Sequence, residues 1–180
     1  MLDFRSYREI YLKAIKSIKS DSDNEIISDP FNVILYYALF YFLPVLFVVL
    51  VVFNDVKLSS FDKVLAAGVA IFTGLFFSLL LNISSRIRIE KSNINIDEDS
   101  FRRYKNSMKQ IANITLYIIS LGIYVVMLVL LNYLIRDFNE YIETIITSLA
   151  FFILTRYLLS ILFMIQRFKY IIRDEIENIL

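Results

Sequence analysis

The chain has 180 residues, the length of one domain, yet 58% of them are hydrophobic and the mean hydropathy is +0.62. That is more apolar surface than a water-soluble core of this size hides, so lipid has to cover the surplus. Lys and Arg number 19 against 18 Asp and Glu, which leaves no basic field for nucleic acid, and direct nucleic-acid binding is not expected. Cysteine and histidine are both absent, which excludes disulfides, thiolate and imidazole metal sites, His- or Cys-ligated haem and every nucleophile built on Cys or His.

Residues 1–29 read as an arm and an acidic linker. Phe4, Tyr7, Tyr11, Ala14, Ile15 and Ile18 recur at helical spacing, with Arg5, Arg8, Lys13, Lys16 and Lys19 largely around the other side. Two placements suit such a helix: flat on the inner membrane surface, where its cations meet anionic headgroups, or packed on the protein's own cytoplasmic loops. The first 30 residues carry no apolar core followed by a small-residue cleavage site, so the first span is expected to act as its own insertion signal.

Asp29 and Pro30 fit an N-cap and a first helical position. The run from Phe31 to Phe53 has no charge and exceeds the roughly 20 residues needed to cross the hydrocarbon. Pro44, near its middle, should bend this first span. A polar turn, with Ser59 and Asp62 spaced as a capping box, leads to a second span from Val64 to about Ser84, which makes 30–85 a transmembrane hairpin. Within the second span Ala66, Ala70, Gly74, Ser78 and Asn82 recur every fourth residue as a ridge of small side chains. Such ridges let membrane helices approach closely, either inside one protomer or between copies of a homo-oligomer.

Residues 86–110 are a basic central loop carrying Arg86, Arg88, Lys91, Arg102, Arg103, Lys105 and Lys109. Its RIRI and NINI alternation suits either a small hairpin or a helix tail followed by a break. Asp99 or Ser100 can cap a helix that leads straight into the third span, Ile111 to Ile135, and the fourth covers about Thr144 to Gln166, so 111–166 is a second hairpin. Residues 167–180 continue as a helix. The fold class is therefore all-α: a polytopic membrane protein with four transmembrane helices in two hairpins, an amphipathic N-terminal helix and a C-terminal helix. Fifteen of the 19 Lys and Arg fall in the arm, the central loop and the final segment, three fall in the two short turns, and Arg156 is the last. The positive-inside rule then places both termini and the central loop in the cytoplasm.

Arg156 is the one charge inside a span. It lies 11 residues from Arg167, roughly 16 Å along a helix, too deep for easy snorkelling. Burial there costs from about 3 to more than 10 kcal/mol without a partner or water. No span contains an acid, so the expected partners are Tyr41, Thr73, Ser120 or Tyr124, a carbonyl freed at Pro44, or an anion. On the third span Asn113, Tyr117, Ser120 and Tyr124 form a polar stripe to about mid-depth. Arg156 and this stripe serve either as a helix tie or as a wet, anion-favouring path. Asp97, Glu98 and Asp99 read as a solvated cluster, with no metal site expected. The three glycines all lie in apolar spans, which leaves no phosphate loop. An enzyme is not expected, nor a cofactor.

The segments FNVILYYALFYFLPVLFVVLVVF, VLAAGVAIFTGLFFSLLLNIS, IANITLYIISLGIYVVMLVLLNYLI and FMIQRFKYIIRDEI, set around a charged arm and a basic loop, make a layout that resembles the small four-span proteins of bacterial anti-phage systems. The membrane component of Kiwa and membrane effectors of retrons and abortive infection are of this type. The resemblance covers the whole chain as architecture and transfers no functional residue. It implies an inner-membrane homo-oligomer that senses infection or perturbs the bilayer and couples to a cytoplasmic protein partner in antiviral defence. The other expectation, from the residues themselves, is a pore, channel or small transporter with Arg156 lining its path.

Overall fold

The computed structural model describes residues 4–20, 29–91, 98–135 and 140–177, and it is all-α. The helices are α1 (Phe4–Lys19), α2 (Pro30–Tyr37), α3 (Leu43–Phe53), α4 (Asp62–Lys91), α5 (Glu98–Ile135) and α6 (Glu140–Glu177). A π-helical turn, Ala38–Phe42, joins α2 to α3, so the described residues make five long helical rods. Four of them are long and apolar enough to cross a membrane: Val33–Phe53, Asp62–Ile83, Tyr104–Ile135 and Glu140–Lys169. The chain thus has the build of a small four-span membrane protein.

Local chemistry explains the first span. The Asp29 carboxylate accepts a hydrogen bond from Phe31 N at 3.4 Å, and Pro30 occupies the first helical position, where its missing N–H costs nothing. Pro44 is buried and has no N–H to offer the carbonyl four residues back, and its ring crowds that turn. The helix answers by widening: Leu43 N bonds Ala38 O, five residues back, and the expected bend takes the form of this π turn.

α5 and α6 pack on each other as a hairpin, whereas α3 and α4, joined by a short connection, each pack chiefly on another helix. α5 and α6 lie side by side at the centre, α4 packs on the flank of α5, and α3 packs on the flank of α6. The result is an open row in the order α4, α5, α6, α3. Burial follows it: 44% of the best apolar window of α5 is buried, against 6% for α4. The connection at 54–61 is too short to separate the ends of α3 and α4, yet their lengths diverge because each has a better-fitting neighbour. Gly122 of α5 supplies one such fit, since a Cβ there would collide with Thr73 Oγ1 of α4 and meet Tyr157 of α6 at 3.3 Å.

One end of the row, here called the base, holds α1, the end of α4, the start of α5 and the last turns of α6. RIRI is helical, as the tail of α4 through Lys91, while NINI lies outside the described residues. At 38 residues, α5 and α6 are each about 57 Å long, well beyond the ~30 Å of a bilayer core, so both are continuous rods that pass out of the layer at the base. At the opposite end an exposed Lys57–Glu140 pair, 3.8 Å apart, links the 54–61 connection to the start of α6 and adds little.

Candidate functional site

The arm lies against the protein itself. α1 packs lengthwise on α5, burying Ala14, Ser17 and Ile18. Asn113 Nδ2 donates to Ser17 Oγ at 3.1 Å, and the Tyr11 ring meets the Tyr117 ring edge-on, with centroids 5.8 Å apart. Residue 17 therefore pairs with 113 and residue 11 with 117. α1 runs antiparallel to α5, N-terminus first into the row, and Tyr11 stands about 6–9 Å further in than Ser17.

Polar contacts to α6 and to the first span fix that position. Arg167 Nη2 donates to Ser17 O at 3.2 Å, and Ser20 Oγ donates to Lys16 O at 2.7 Å, so two carbonyls of the last turn of α1 are satisfied. Lys19 Nζ donates to Tyr37 OH at 3.3 Å and lies 4.4 Å from the Tyr36 ring centroid, a cation–π contact. The Tyr11 and Tyr41 hydroxyls approach to 3.5 Å. The apolar face of the arm is thus spent on α5, while Arg8, Glu9, Leu12, Lys13 and Lys16 face outward.

Beneath Tyr11 sits Arg156. Its Cζ is 5.5 Å from the Tyr41 ring centroid, 5.8 Å from that of Tyr11 and 6.0 Å from that of Phe152. Nε and Nη2 are buried and have no hydrogen-bond acceptor, and the Tyr36 hydroxyl is likewise buried and unpaired. No acidic side chain pairs with the guanidinium among the described residues. Aromatic rings surround it, and their quadrupoles offset part of the desolvation cost but leave two strong donors unused. On the arm, burial pushes the Tyr11 phenol up, and the Tyr41 hydroxyl and Arg156 guanidinium outweigh it, holding the group below its ordinary value.

Of the expected partners, Tyr41 meets Arg156 through its ring. Thr73 instead lies against Gly122, Ser120 Oγ bonds back to Leu116 O at 2.9 Å, and Tyr124 is exposed. The stripe is therefore divided. The arm covers Asn113 and Tyr117, and the stripe opens outward by Tyr124. Tyr11 and Phe152 are the site residues that sequence reasoning missed; Phe152, four residues before Arg156, was the readable one, because side chains four apart share a helix face.

The small ridge on α4 takes no part in this site. Ala66 is half-buried, while Ala70, Gly74, Ser78 and Asn82 are exposed, and a Cβ on Gly74 would meet nothing within 4 Å. Of the basic loop, Arg102, Lys105 and Lys109 are exposed on α5, and the side chains of Arg86, Arg88, Lys91 and Arg103 lie outside the described residues, as do Asp97 and the side chains of Glu98 and Asp99. No family model matches the chain, and neither does any curated protein or solved structure.

Proposed function

We propose that this chain is an integral inner-membrane subunit, oligomeric in the bilayer, that acts as a sensor and anchor and couples a cytoplasmic partner protein to a charged centre inside the membrane. The observation that carries this reading is the insertion of α1: one surface helix touches the intramembrane Arg156 through Tyr11 and the emergent end of α6 through Ser17. A partner that pulls on the arm, or on α5 and α6 beyond the membrane, moves groups packed against Arg156. With the base in the cytoplasm, as the distribution of Lys and Arg favours, the arm, Arg102, Lys105, Lys109 and the end of α6 form one platform. The four-span layout suits the antiviral defence assemblies that it resembles.

A second reading, a pore, channel or small transporter, draws on the two unused donors of Arg156. It requires the arm to leave, since α1 covers the stripe at Asn113 and Tyr117.

The native mass of the tagged protein, gently extracted from cells that express it with its genomic neighbours, tests the proposal. A homo-oligomer carrying a stoichiometric soluble protein is expected. A homo-oligomer with no companion under any inducing condition contradicts the platform and favours the pore.

A further inference from the structure

Two unrelated features of the site point to a bound ligand and to its competition with the arm. The first is the pair of orphan donors. Nε and Nη2 form one edge of a guanidinium, the edge that engages an oxyanion with two parallel hydrogen bonds or bridges a single halide, and here it is buried against aromatic rings with no acceptor. The second is the approach to it. The outward face of α1 carries Arg8, Lys13 and Lys16 against one acid, Glu9, whose carboxylate is 3.2 Å from Lys13 Nζ. These groups flank Tyr11 at a level where α5 is already apolar. Charged side chains do not face hydrocarbon there without a large cost, so water covers this side of the arm. A wet, net-positive face raises the local concentration of anions and ends beside the buried arginine.

We propose that Arg156 is a binding site for a small monovalent inorganic anion, approached from the base along the basic face of α1 and capped by the Tyr11 ring, so that anion and arm compete for one guanidinium. The charge follows from the count of partners: a single buried cation, with no second cation against it among the described residues, balances one negative charge, and a divalent anion leaves an uncompensated charge in a poorly polarisable site. The competition follows from access. Both donors are covered in the docked state, and of the rings near the guanidinium only Tyr11 belongs to a helix outside the spans and can leave without unpacking the row. The inference uses the docking of the arm and needs no partner protein.

The chain lacks cysteine, so Ile18→Cys, at a position 6% exposed under the docked arm, gives a single reporter of arm release. The full chain is placed in phosphatidylcholine nanodiscs, and the rate of labelling by a charged maleimide is compared in sodium gluconate, chloride and nitrate at one ionic strength. Labelling should be slow in gluconate and faster by about fivefold or more in chloride or nitrate, with the difference lost in Arg156→Gln. Arg156→Lys, which keeps the charge without the paired edge, should show a smaller response and serves where the glutamine variant does not fold. Equal rates in all three salts, or an increase that persists in both variants, overturn the proposal. So does an increase in gluconate when phosphatidylglycerol replaces phosphatidylcholine with no response to the salts, since the ligand is then a lipid headgroup. Fast labelling in every salt removes the docked arm itself, and the coupling role falls with it, whereas slow labelling that ignores the salt removes the anion alone.

Discussion

Gly74 and Gly122 are the same residue type in adjacent helices with opposite surroundings. Gly74 faces open space, whereas Gly122 stands where α4, α5 and α6 meet, against Thr73, Val69 and Tyr157. Gly122→Ala should therefore push α4 off the row and cost about 1–3 kcal/mol, read as an earlier midpoint in a detergent-unfolding titration. An unchanged midpoint would mean that α4 does not approach this closely. Arg156 was legible in the sequence because a lone charge in a span stands out. Its cap was not: Tyr11 lies 145 positions away, and a contact at that separation is set by which groove the arm fills, which no local pattern encodes.

Among the elements, α4 is where sequence and structure each hold half of the information. The spacing of Ala70, Gly74, Ser78 and Asn82 gives a ridge, and its periodicity is readable. Its direction is not, because in lipid every face of a span is apolar and hydrophobic patterning no longer marks the side that meets protein. The structure turns Val69, Phe76 and Ile83 toward the core, leaving the ridge outward. Gly74→Leu consequently leaves the protomer intact, with an unchanged unfolding midpoint. In the oligomer proposed above, with the ridge as the contact between copies, the same substitution lowers the native mass to that of fewer chains; an unchanged mass would place the contact elsewhere. The irregularity at Pro44 was readable in position, since the residue dictates the missing bond, whereas its form, a π turn over Ala38–Phe42, was not.

For the whole molecule, three uncharged runs of more than 20 residues and a fourth apolar run broken only by Arg156 announced four spans, and length and composition carried that inference. The open row did not follow from it, because short connections constrain helix ends and say nothing about which lengths pack. An open row leaves broad lipid-facing or copy-facing surfaces and one face on which α1 can lie. That placement joins a surface helix to the charged centre of the membrane layer, and every functional statement above depends on it. In the cysteine-free chain the direct test is Ser17→Cys paired with Asn113→Cys, treated in native membranes with a short bis-maleimide. The cross-linked form should appear readily, and Ser17→Cys with Tyr133→Cys, some 30 Å further along α5, should give none. No cross-link at 17 and 113, with both positions freely labelled by a soluble maleimide, would show an arm lying outside the row and would contradict the account.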